Sequence, residues 1–278
     1  MDRIIPIETI DLILALDLKL IELLRSLTEE EWNAQTVAKL WTVKDVAAHL
    51  LDGNLRSLST SRDHFFGEKP ERMDSYQDLV DFLNSLNHSW VKAMKRVSPQ
   101  ILTTMLEASG KDYFEHLQTL DPWEDALYPV AWAGQDRSPN WFHIAREYTE
   151  KFLHQQQIRE AVAKPGIMTR EFFHPFLDSL MQAFPHTFRD IIYPTGTVVS
   201  LEISSEIGGT WSLIRTEHIW MLRKEAFAES TTLVTMEPDT AWKLFSKSWK
   251  PEAVLDIVDI KGDQKLGRKV LDIVAFMA

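Results

Sequence analysis

Apolar residues recur at helical spacing through the first 165 or so positions, and then the period changes. Ile10, Ile13, Leu14, Leu20, Ile21 and Leu24 predict an amphipathic helix over residues 7–27. Thr28 with Glu31 forms a candidate capping box before Trp32. Thr42 is placed to cap a second helix that runs through His49 to about residue 61, with Asp45 favourably near its N-terminus. A loop at residues 66–70 precedes a third helix over 75–97. Ser98-Pro99 opens a fourth, to about residue 120. Residues 121–140 read as a loop rich in Pro and Trp, with the tryptophans hinting at a pocket. Ser138-Pro139 repeats the cap-then-proline signal and starts a helix over 140–163, stopped by Lys164-Pro165-Gly166.

Beyond that stop the pattern is mixed. Residues 172–189 predict a helix broken near Pro185. Val199, Leu201 and Ile203 then alternate with more polar neighbours, the period-two pattern of a half-buried strand. Strand-like runs fall at 197–204, 210–216, 218–223 and 231–236, and Gly208-Gly209 reads as a hairpin turn. Asp239 is expected to cap a short helix through Phe245, and a last helix is expected over 264–276. These runs predict an all-α domain over residues 1–165 and an α+β domain over 166–278.

Composition narrows the function. The net charge of −11 argues against nucleic acid and anionic membranes as partners and leaves a small-molecule substrate. Charged residues interrupt the apolar run near the N-terminus, so neither a signal peptide nor a spanning segment is expected, and a cytoplasmic location follows. The chain has no cysteine, which excludes disulfides, thiolate ligands and a cysteine nucleophile. Any thiol chemistry must use a thiol supplied from outside.

The helix after Ser138 carries His143, Glu147, Glu150 and His154. At about 100° per residue these four share an arc of about 60°. Glu150 and His154, one turn apart, are spaced to converge on one ion, and a histidine from a second helix would complete a set with an open position. His49 is the leading candidate. The same spacing also describes an ordinary surface pair, and a histidine beside leucines is commonly structural.

A resemblance selects among these readings. The run Trp41-Thr42-Val43-Lys44-Asp45-Val46-Ala47-Ala48-His49-Leu50 resembles the first metal motif of the maleylpyruvate isomerase N-terminal domain family, within the DinB/YfiT-like group of metal-binding four-helix bundles. The acidic turn Leu27-Thr28-Glu29-Glu30-Glu31-Trp32 is similar to its upstream partner, and Glu150-Lys151-Phe152-Leu153-His154-Gln155-Gln156-Gln157-Ile158 to its second motif. Pro238-Asp239-Thr240-Ala241-Trp242-Lys243-Leu244 and Ile260-Lys261-Gly262-Asp263 resemble its second domain, a smaller sterol-carrier-like α+β fold.

The resemblance implies metal ligands at His49, Glu150 and His154. It also implies a metal-activated, low-molecular-weight thiol that isomerises a cis-enedioate or is transferred to a substrate. Zinc suits two histidines and a carboxylate, with nickel, iron or manganese as alternatives. Gln157 stands where the family commonly has Asp and would hold a ligating imidazole less strongly. Arg56, Arg146, Arg159, Arg215 and Arg223 are the cations within reach of an anionic substrate, and Glu147 or His143 could shuttle protons, although surface placement is the simpler expectation for all of them. A hydrolase using bound water and a non-enzymatic binding protein are the competing classes. Oligomeric state is left open.

Overall fold

The computed structural model describes residues 4–70 and 74–276. They form two compact units, residues up to 127 with 139–167, and 128–138 with 168–276.

The first unit is helical. Helices α1 (Ile10–Arg25), α3 (Val43–Ser57), α5 (Pro99–Gln118) and α6 (Asn140–Ala161) make a closed ring of neighbours, α1 on α5, α5 on α3, α3 on α6 and α6 on α1. The short α2 (Glu29–Trp32) and the long α4 (Tyr76–Met94) both pack on α3. Leu20, Leu24, Trp32, Val46, Leu51, Leu102, Leu106 and Ile158 fill the core between them. The expected four-helix bundle is therefore present.

Local chemistry sets the helix starts. Thr28 with Glu31 and Thr42 with Asp45 both form complete capping boxes, and Ser98 caps α5 by accepting from the Ile101 amide. Ser138 does not cap α6. Its Oγ accepts from the Val130 amide and donates to Gln135, and Pro139 occupies the cap position instead. The α-helical hydrogen bonding of α3 stops at Ser57, and residues Leu58–Arg62 form one π-helical turn. Such turns widen a helix locally and often lie near functional sites.

The second unit carries helices α7 (Arg170–Leu180) and α8 (Ala183–Thr187). Among the described residues it holds a five-stranded sheet of β1 (Val198–Ile203), β2 (Gly209–Arg215), β3 (Trp220–Arg223), β4 (Thr232–Met236) and β5 (Asp259–Gly262) in the order β3-β2-β1-β4-β5. β1 and β4 run parallel and the other pairs are antiparallel. Val199, Leu201 and Ile203 are buried, as their alternation requires. Helices α9 (Pro238–Phe245) and α10 (Gln264–Val270) add Trp242, Phe245 and Leu266 to a core that includes Phe173, Phe176 and Trp211. The expected α+β architecture is thus present.

Four details differ from expectation. Pro185 lies in the first turn of α8, where a missing N–H is harmless, and the helix breaks earlier, after Leu180. Gly209 belongs to β2 and pairs with Ile203, so the turn ends at Gly208, where a Cβ would run into the Ile203 carbonyl oxygen. Asp239 does not cap α9. Pro238 starts that helix one residue earlier, and the Asp239 carboxylate instead accepts from Trp242 Nε1 and Lys243 Nζ. The last helix ends at Val270, and Ile273, Ala275 and Phe276 are buried in non-helical chain. A short apolar run fits either conformation.

Candidate metal centre

His49 sits in the second turn of α3, fixed in register by the Thr42–Asp45 cap. Trp90 on α4 donates to the Ala48 carbonyl at 2.8 Å, tying α4 to α3 beside it. Glu150 and His154 lie one turn apart on α6. The facing of α3 and α6 brings one ligand-type atom from each of the three residues within 4.8 Å of one another.

The rings are closely set. The His49 and His154 centroids are 4.6 Å apart and nearly perpendicular. Trp41 lies beside both, 4.8 Å from His49 and 6.2 Å from His154. Its backbone is anchored, because the Trp41 carbonyl accepts from the Gln35 and Thr36 side chains and its amide donates to Ala38. His154 is buried, while Glu150 is about a third exposed and faces solvent.

The nitrogens divide their work. His154 Nδ1 lies 2.9 Å from Gln157 Oε1, within hydrogen-bonding distance when the imidazole carries its proton there. His154 Nε2 lies 3.4 Å from Glu150 Oε2. His49 Nδ1 is buried and has no hydrogen-bond partner. Burial holds the His49 imidazole well below its ordinary pKa, and His154 and Arg56 push the same way, against Asn87. His49 is therefore neutral at pH 7, as a ligand must be. Three electron-pair donors converge on one point, and the donor set of two imidazoles and one carboxylate fits a divalent ion.

The other candidates lie elsewhere or are already engaged. Arg56 pairs with Asp52 at 2.9 Å and donates to Asn87. Arg159 donates to Gln155 and to three backbone carbonyls, which is a structural role. Arg215 packs over the Trp220 ring, and Arg223 bonds a neighbouring carbonyl. His143 and Glu147 are not on the surface as expected. His143 is buried and Glu147 partly buried, with Arg146 donating to His143 Nδ1 at 2.7 Å and to Glu147 at 3.2 Å. Burial first, then Arg146, push the His143 pKa down to about 4, with Glu147 pulling the other way. Burial opposes the Glu147 charge, but His143, Arg146 and Tyr113 outweigh it and bring that carboxyl below its ordinary range.

Of the loop tryptophans, Trp132 joins the core of the second unit and Trp141 lines a 230 Å³ apolar cavity in the first. Asn87 was not singled out from the sequence. An asparagine inside a polar helix stretch carries no distinguishing signal.

Comparison with known proteins adds two findings. The chain resembles the crystal structure of the mycothiol-dependent maleylpyruvate isomerase at 12% identity, with 91% of each chain covered and a TM-score of 0.54. A histidine-to-alanine variant of that enzyme matches at 10% identity, with 91% of each chain covered and a TM-score of 0.52. At such identities the likeness establishes the fold. No curated protein matches the chain. Residues 14–159 match the family described as the mycothiol maleylpyruvate isomerase N-terminal domain, and that span, over half the chain, contains His49, Glu150 and His154. The chain belongs to the mycothiol maleylpyruvate isomerase N-terminal domain family.

Proposed function

We propose that His49, Glu150 and His154 hold a divalent metal ion, with zinc the first choice, and that the protein uses it to activate a low-molecular-weight thiol for transfer or cis–trans isomerisation. One observation carries this reading. One ligand-type atom from each of the three residues lies within 4.8 Å of the others, and the set offers two imidazoles and one carboxylate. A bound ion would supply Lewis acidity that lowers the pKa of a thiol at the open position, so that thiolate is available near neutral pH.

The chain's own residues frame that position. Trp41 packs beside both histidine rings. The partly exposed side at Glu150 leaves an approach from solvent. In the isomerase reading, a thiolate sulfur adds to one alkene carbon of a cis-enedioate and the electron pair moves toward the conjugated carbonyl. The resulting single bond rotates. The pair then returns, and the thiolate leaves with no net gain or loss of atoms. The absence of cysteine accords with a thiol brought in as a cofactor.

Metal quantification tests the first half. Protein purified without added metal, then loaded with zinc, nickel, iron(II) or manganese, is expected to bind one divalent ion per chain. His49→Ala, Glu150→Ala and His154→Ala are each expected to weaken binding at least about a hundredfold, about 2.7 kcal/mol. Absence of binding under every loading condition refutes the centre, and binding that survives all three substitutions moves it elsewhere. A thiol-dependent assay over cis-enedioates and electrophiles tests the second half. Turnover without thiol would refute it.

A further inference from the structure

We propose that Gln157 is a positioning residue that holds His154 in the tautomer protonated at Nδ1, keeping Nε2 free for the ion. The metal half of this inference rests on the centre proposed above, and the tautomer half rests on hydrogen-bond geometry alone. Gln157 Oε1 lies 2.9 Å from His154 Nδ1. Gln157 is 4% exposed and His154 8%, so water competes poorly for this bond. The two residues are three apart on α6, the spacing at which helical side chains meet.

The alternative tautomer shows what is at stake. With its proton on Nε2, His154 would point an N–H at Glu150 Oε2, 3.4 Å away. Donor would then face acceptor, and the pair would close on itself along the helix. With the proton on Nδ1, two lone pairs face each other instead, an arrangement that a cation placed between them stabilises. Gln157 therefore decides between a self-satisfied His–Glu pair and an open ligand set. It does so without adding charge. The set contains one carboxylate, so a divalent ion held there retains net positive charge, and a neutral amide behind His154 leaves that charge to attract an anionic ligand such as a thiolate.

The test reads the tautomer directly. In metal-free protein labelled with ¹⁵N-histidine at mildly alkaline pH, two-bond ¹H–¹⁵N spectra distinguish Nδ1–H from Nε2–H, and His154 is assigned by its loss in His154→Gln. Nδ1–H is expected in the wild type and in Gln157→Glu, which keeps an acceptor, and Nε2–H in Gln157→Leu. Zinc affinity, measured by competition with a chromophoric chelator, is expected to fall about 10- to 100-fold in Gln157→Leu and to be kept or strengthened in Gln157→Glu. An Nε2–H tautomer in the wild type overturns the proposal, as does unchanged tautomer and affinity in Gln157→Leu. A wild type that binds no zinc overturns the metal centre, while the spectra still decide the role of Gln157.

Discussion

Two neighbouring faces of α6 bury charged side chains in opposite ways. On one face, Lys151 Nζ donates to both carboxylate oxygens of Asp17 at 2.9 Å and to Asn54 Oδ1 at 3.0 Å. Asn54 in turn donates to Ser109, and Gln155 links the Leu16 carbonyl to Arg159. Gly110 on α5 makes the approach possible, because a Cβ there would lie 2.9 Å from Asp17 Oδ2. Each charge on this face meets its complement inside the protein. On the other face, about 100° around the helix, Glu150 and His154 converge with His49. The first face is complete as folded and acts as structure. The second is a set of donors held together by its surroundings, the arrangement expected where binding is traded against stability.

The comparison breaks most sharply at Lys151. Lys151→Met should leave Asp17 buried and unpaired and cost about 3–5 kcal/mol, read from the denaturation midpoint. A loss below about 1 kcal/mol would mean that the closed face is not structural.

His143 provides a second, smaller measure, because it is buried but takes no part in the ligand cluster. Its folded pKa of about 4 lies below the unfolded value, so between about pH 6.5 and 4 the unfolded chain binds the extra proton. Stability present at neutral pH should therefore fall as pH drops through that window, by up to about 3 kcal/mol from this group. His143→Gln should flatten the slope in a series of urea titrations, and an unaltered slope would place the acid sensitivity in another group.

The smallest expected effect is the most diagnostic. Glu150→Gln should change metal-free stability by no more than about 0.5 kcal/mol, since it removes one of the converging donors from a partly exposed position. The same substitution should abolish tight metal binding. If Glu150→Gln instead destabilised the metal-free protein as much as Lys151→Met, both faces would be structural and the contrast would collapse.

Much of the bundle was legible because its signals are local. The Thr28–Glu31 and Thr42–Asp45 boxes and the Ser98 cap span three residues each, and amphipathic spacing did the rest. The alternation at Val199, Leu201 and Ile203 marked β1 for the same reason. β5 escaped notice because Asp259–Gly262 is short and mostly exposed, with little alternation to detect. The buried run around Lys151 escaped because its partner, Asp17, is 134 positions away. Nothing near either residue distinguishes a buried lysine from a surface one.

By itself, then, the sequence determined most of the helices and the first strand and, through its cysteine-free composition, that no metal centre here uses a cysteine thiolate. Its motifs, through their family resemblance, also singled out His49 as partner to Glu150 and His154. Only the tertiary structure decided that α3 faces α6 closely enough for the three to converge, that Trp41 covers the histidines, and that Gln157 takes His154 Nδ1. It also took Lys151 out of water and left Glu150 partly in it. The reason is physical. Caps and periodicity act over one or two turns, whereas the geometry of a ligand set depends on how whole helices pack, and packing sums over many weak contacts far apart in the chain.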